Sequence, residues 1–351
     1  MHLPYMSSPE FLASALHIMT CLEVPVHLFG AYCIIFKTPA IMKSVKFSML
    51  NLHFWSVLLD LTISLLTAPY VLFPALVGRS IGILTFFGVS TPIQLYLIVT
   101  LFPSNFKSLI LIQSLSSWFS AVGVSITAIL ENRYYLLFAR DTFWKFFRIP
   151  FLGSLYLASF SCFLPCYFNI PDQKEAMKEV LEKTPALLEY TSNSDLFVLS
   201  TDFHLFFFTL VIMIALVTGT SVTFARLLHR NMKERSQLMN VSNQTIQLQK
   251  IFFRAIFIQC IQTSMPICIL IFPLNYLVFS MYSGYFNQAA NNLCFIVTAF
   301  HGLLSTTIMV IVHKPYRDVF YDTFCERIHR ILVRPGSRLT FSLSTVSKTT
   351  G

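Results

Sequence analysis

Charge is scarce in this sequence. Asp, Glu, Lys and Arg make up 12% of its 351 residues, against about 25% in a soluble globular chain. Such a surface cannot be wetted, which excludes an ordinary soluble enzyme and a disordered chain alike. Glycine is scarce too, with 11 residues, leaving little material for phosphate-cradling loops. HExxH, GxSxG and Walker patterns are missing, so no catalysis is expected. No CxxC pair exists either. Cys21, Cys33, Cys260, Cys268 and Cys294 lie inside apolar runs, Cys162 and Cys166 near the end of one, and Cys325 alone near the C-terminus. Neither a disulfide framework nor a zinc site follows, and no cofactor is implied. Met1–Glu10 has no positively charged leader, and the apolar stretch after it is too long for a signal-peptide core. It reads as a retained first membrane helix.

What is abundant is hydrocarbon. Hydrophobic residues reach 55%, with 36 Phe, and mean hydropathy is +0.66. Eight apolar runs succeed one another: Phe11–Phe36, Met49–Phe73, Ile81–Phe102, Leu109–Leu130, Ile149–Phe168, Phe203–Ala225, Ile251–Phe279 and Leu293–Val312. A helix rising about 1.5 Å per residue needs roughly 20 residues to cross ~30 Å of hydrocarbon. Only helices satisfy their own backbone in lipid, so an all-α membrane bundle is predicted. Pro25, Pro69, Pro92, Pro165, Pro266 and Pro273 are expected to kink these helices rather than end them.

The net charge of +9 is not a nucleic-acid signal, because the cations sit in short loops and the tail. If Ile81–Leu130 crosses once and the N-terminus is outside, 20 Lys and Arg fall inside and four outside (Arg79, Lys174, Lys178, Lys183). Eight crossings with the N-terminus inside give 18 against seven, so the positive-inside rule prefers seven. Residues 1–10 are then a short extracellular N-terminus and 11–313 the seven-helix domain. Residues 314–334 form a juxtamembrane helix, and 335–351 a disordered cytoplasmic tail with eight Ser or Thr. Asn169–Thr201 holds six acids and three lysines. Within it Ala176, Met177, Val180 and Leu181 recur at helical spacing, which predicts a short amphipathic helix over the outer mouth.

Four phrases carry a family resemblance. They are Glu23-Val-Pro-Val-His-Leu-Phe-Gly-Ala-Tyr-Cys-Ile-Ile-Phe-Lys-Thr-Pro39, Met49-Leu-Asn-Leu-His-Phe-Trp-Ser-Val-Leu-Leu-Asp-Leu61, Glu131-Asn-Arg133 and His313-Lys-Pro-Tyr-Arg317. In this order and at these membrane depths, the chain from about Leu16 to Val333 resembles the nematode serpentine receptors of class H. The resemblance implies a seven-helix, rhodopsin-like chemosensory receptor coupled to a heterotrimeric G protein in the plasma membrane of sensory cilia. It also implies a small-molecule ligand, whose pocket residues the sequence does not name. One departure stands out: relative to that family, Pro103–Ser120 is extra. Removing it leaves Leu84–Leu130 as one continuous 29-residue helix, so the stretch is read as an insertion into helix three, mis-spliced or wrongly delimited.

Several residues are candidates for function. Glu131, Arg133 and Tyr134 resemble the acid-Arg-Tyr switch of rhodopsin-like receptors, with Asn132 displacing the Arg by one place. In that reading the acid pairs with a cation of a neighbouring helix at rest; in the other, Arg133 only anchors the helix at the headgroups. Asp60 and Glu23 lie in apolar helices, where a carboxylate costs roughly 2.5–3.5 kcal/mol unless it faces the bundle interior. Each serves either an internal ion or polar network, or a neutral hydrogen-bonded structural role. His313, Pro315, Tyr316 and Arg317 end helix seven. Phe320, Phe324, Ile328 and Ile331 then form an apolar stripe for an amphipathic helix on membrane lipids. Cys325 in it is either palmitoylated or a free thiol. The Ser/Thr-rich tail suits arrestin-like regulators after phosphorylation, or is simply solvated.

A multi-pass transporter or ligand-gated channel subunit is the alternative. Transporters tend to carry internal repeats, and none relates the two halves of this chain. Deep acids are limited to Glu23 and Asp60, which is thin for an ion pathway, and an inverted seven-helix channel would expose the cationic face to the exterior.

Overall fold

The computed structural model describes residues 4–83, 110–162, 165, 169, 171–191, 196–202, 204–238, 269–270 and 272–325, with backbone alone at 41, 110–119, 191, 235–238 and 325. The Ile81–Phe102 run from 84 on, the Pro103–Ser120 stretch up to 109 and Ile251–Phe279 up to 268 lie outside them. So do Ile328, Ile331 and the 335–351 tail.

Helix α1 (Pro9–Phe36) begins where the Ser8 hydroxyl accepts a bond from Phe11 N, with Pro9 in the first position, where its missing N–H costs nothing. It continues through Pro25 without ending. Helix α2 (Lys43–Leu61) returns antiparallel and runs on as a π-helical turn, Thr62–Leu66. Here one expectation fails. Pro69 does not kink a helix reaching Phe73; it starts strand β1 (Pro69–Leu72). Proline disfavours the helical conformation in the residue before it, and Ala68 sits at φ 40°. Strand β1 pairs antiparallel with β2 (Val77–Ser80), Pro69 opposite Ser80 and Leu72 opposite Val77. The all-α bundle therefore carries a small sheet at the end where the chain begins.

Helix α3 (Ile110–Tyr134) packs on α2, on α4 (Trp144–Ser161) and on α6 (His204–Leu238). Between the last two comes α5 (Gln173–Lys183), the helix predicted in the acidic loop. Strand β3 (Phe197–Val198) then joins β2. Residues 272–283 are helical, Pro273 included. Helix α7 (Gln288–Val312) packs on α1 and α2, and α8 (Lys314–Phe320) extends into a π-helical turn, Tyr321–Cys325. Among the described residues, α1, α2 with its π turn, α6 and α7 are long and apolar enough to cross a membrane. Their outward faces show Ile18, Leu28, Phe208 and Ile212, as expected where the solvent is hydrocarbon.

The sheet is a lid built on the bundle's own core. Tyr70, Leu72, Val77, Ala176 and Val180 share one buried cluster with Leu12, Leu16, Leu59 and Ala299. Gln173 stands in for a missing strand, donating to Val198 O (3.0 Å) and accepting from Val198 N (2.9 Å). Asn292 donates to Met6 O (2.9 Å), Asn291 to Phe73 O (3.2 Å), and Tyr70 OH to Ser7 O (2.7 Å). Burial pushes the Tyr70 phenol up, so it stays a donor. The lid, the N-terminus and the first turn of α7 are thereby sewn together.

Candidate functional site

Two clusters collect the residues singled out in the sequence. The first lies among α1, α2 and α7. Asp60 and Glu23 are fully buried, and they face inward as a carboxylate in lipid must. Asp60 Oδ2 is 3.2 Å from His27 Nε2, and Oδ1 accepts from Gly302 N at 3.2 Å. Gly302 is required for this approach, because a Cβ there would overlap Oδ2. His27 Nδ1 lies 3.0 Å from Thr306 Oγ1, and His53 Nε2 lies 3.1 Å from His27 O. Since a carbonyl only accepts, His53 Nε2 carries a hydrogen, which leaves its Nδ1 to accept from Thr306 (3.5 Å).

Glu23 sits in the same layer. Its Oε2 accepts from Ser64 Oγ (2.8 Å), which accepts in turn from Thr20 (3.0 Å). Its Oε1 has no hydrogen-bond partner among the described residues, nor has His301 Nδ1. Sequence reading picked out the two acids and missed the imidazoles of His27, His53 and His301. For His27 a signal was present, since it lies four residues beyond Glu23 and shares its helix face.

The second cluster is at the opposite end. Buried Glu131 accepts from Trp144 Nε1 (2.7 Å) and pairs with Arg148 (3.0 Å). The Arg148 guanidinium also donates to Asn132 Oδ1 (3.1 Å) and lies over the Tyr135 ring, 3.9 Å from its centre. Asn132 donates to Ser44 O, linking α3 to the start of α2. Residues two apart in a helix do not share a face, so Glu131 and Arg133 point apart. Glu131 engages α4, while Arg133 lies close enough to His313, at the end of α7, for its charge to act on that ring. Tyr134 takes part in an aromatic cluster, 5.9 Å from Phe224 of α6 and 6.2 Å from Phe138.

His313 terminates α7, and its carbonyl accepts from Tyr316 N and Arg317 N, both at 3.0 Å. Pro315 occupies the first turn of α8, where it is tolerated. Tyr316 is fully buried with its OH 2.7 Å from Thr38 Oγ1. It belongs to one buried cluster with Cys33, Ile34, Val45 and Met309. Arg317 donates to Ile311 O at 3.4 Å. Phe320 and Phe324 reach Phe29 of α1, with ring centres 5.9 and 5.5 Å away. The Cys325 side chain lies outside the described residues.

The family described as serpentine type 7TM GPCR chemoreceptor Srh matches over residues 7–114 and 103–326. The chain belongs to that family of seven-helix chemoreceptors and is a multi-pass membrane protein; the family is one of receptors, not of enzymes. It is similar to the Caenorhabditis elegans protein serpentine receptor class H-72, at 25% identity over 337 residues, 94% of this chain and 90% of that relative. No solved structure matches.

Proposed function

We propose that the protein is a chemosensory G-protein-coupled receptor which binds a small environmental ligand and activates a heterotrimeric G protein. The observation that supports this reading best is the Glu131–Arg148–Trp144 contact beside Arg133 and His313. A buried acid held by a cation of the next helix is a two-state element: its release lets α3 and α4 move apart and changes what Arg133 meets. A ligand that favours the released arrangement shifts the population toward it. The charge map puts this end in the cytosol, together with the basic residues of the α6 extension and of 314–338.

Around this core, membrane lipids would hold the α8 segment, a palmitoyl group at Cys325 would reinforce it, and arrestin-like regulators would read the phosphorylated 335–351 tail. The site of action is the plasma membrane, in sensory cilia by family resemblance. The insertion reading of Pro103–Ser120 rests on the resemblance of the flanking segments to one continuous helix three. Transcript reads joining Phe102 directly to Ala121 are its expected outcome, and reads containing the full stretch overturn it.

The receptor is tested by expression with a promiscuous G protein and an odorant panel. Arg133→Ala is expected to abolish the agonist response while surface amounts stay unchanged. A retained response removes Arg133 from the switch.

A further inference from the structure

Between α1 and the lid end of α2 lies a cavity of about 580 Å³, within the ~300–1,000 Å³ range of small-molecule sites. His17, Thr20 and Cys21 of α1, Leu65 in the π-helical turn after α2 and the strip Arg79–Ile83 line it. That strip is fixed in place. Gly82 N donates to Thr67 O at 2.9 Å, Ser80 Oγ bonds the same carbonyl, and a Cβ on Gly82 would overlap the Leu66 carbonyl. This wall of the cavity is therefore set by the fold.

Its chemistry is two-sided. The walls are mostly apolar, and on the α1 side Cys21 is exposed, as are its neighbours Ile18 and Leu22. The cavity thus opens toward the hydrocarbon around α1. At the lid side stands a single guanidinium. Arg79 is half-buried, and among the described residues its Nε has no hydrogen-bond partner and no carboxylate forms an ion pair with it. The paired donors of a guanidinium match the oxygens of a carboxylate or a phosphate, so an anionic group is what this side of the cavity is built to hold.

We propose that this cavity binds an acyl chain with an anionic head, the head on Arg79 and the chain along the lipid-facing side of α1. A free fatty acid and an anionic phospholipid share that chemistry. The site is assigned independently of G-protein coupling and is tested by binding alone.

The full chain in phosphatidylcholine nanodiscs is irradiated with a diazirine-bearing hexadecanoic acid. Labelling is expected in the α1 peptide containing Thr20 and Cys21, displaced by excess hexadecanoic acid and not by hexadecanol. Arg79→Gln should lower it by about tenfold or more and Arg79→Lys much less. Cys21→Trp, which fills the cavity from an exposed position and leaves the charge alone, should also abolish it. Nanodiscs containing phosphatidylglycerol separate the sources: lost labelling assigns the site to the lipid headgroup, undiminished labelling to the free acid, and each upholds the proposal. Equal labelling of Arg79→Gln and the parent, full labelling of Cys21→Trp, or equal competition by hexadecanol overturns it.

Discussion

A methyl group at position 302 would overlap Asp60 Oδ2, so Gly302→Ala must displace either the carboxylate or α7. The expected cost is about 1–3 kcal/mol, the usual range for overpacking, seen as a fall in the thermal midpoint of the detergent-solubilised receptor. An unchanged midpoint would mean that α2 and α7 do not approach this closely. At the other end, Arg148→Ala leaves Glu131 buried with Trp144 as its remaining donor among the contacts described. Losing a hydrogen bond to a charged group costs about 1.5–3 kcal/mol, so stability should drop while basal G-protein activation rises. Adding Glu131→Gln should return part of the stability, because the amide no longer needs a counter-charge. Basal activation that does not change in Arg148→Ala counts against a resting lock. Of these contacts, the acids were legible in the chain: Asp60, Glu23 and Glu131 are conspicuous in apolar surroundings. Their partners were not. Arg148 reads as one more cation on the basic side, and nothing local marks Gly302 as the glycine that faces Asp60.

Helix α5 shows how much an element owes to its ends. Asp172 Oδ1 accepts from Lys174 N and Glu175 N, and Ala176 and Val180 turn inward. Asp172→Ala should cost about 1 kcal/mol, seen as roughly fivefold faster amide exchange along Gln173–Lys183. Exchange at the parent rate would show that packing alone holds the helix. The α5 pattern was readable because its apolar residues repeat every three to four positions. The lid hairpin was not, because Ala68–Phe73 continues the predominantly apolar run of α2, and a short apolar stretch does not distinguish helix from buried strand. Pro69 was the available signal, and its effect depends on the partners its neighbours find in space. In α1, Pro25 is absorbed; at Pro69 the chain meets β2 and the first turn of α7, which satisfy its extended backbone. Helix α8 is anchored by the Tyr316–Thr38 contact. Tyr316→Phe should destabilise by about 0.5–1.5 kcal/mol while leaving the ring packed. A thermal midpoint equal to the parent's would mean that the hydroxyl contributes nothing to the joint.

For the molecule as a whole, orientation is the prediction with the widest reach. An epitope tag at the N-terminus should be accessible on intact cells and one at the C-terminus only after permeabilisation. The reverse pattern would place the Glu131–Arg148 pair outside and remove the G-protein reading with it. The hydrocarbon-facing surfaces of α1 and α6 belong to the same scale, since they would drive aggregation in water and are ordinary in a bilayer.

Composition was enough to require a membrane, because so few charges cannot wet a surface of this size, and the placement of cations is what the expected orientation rests on. Runs of about 20 apolar residues imply helices whatever their partners, since the backbone must close its own bonds. Which side chains meet is a different kind of fact. The His27–Asp60 contact joins residues 33 positions apart, and Gly302 reaches Asp60 across 242. No periodicity reports such distances. They arise from how the helices pack, and the Glu131–Arg148 pair, the lid and the Arg79 cavity exist only once that packing is made.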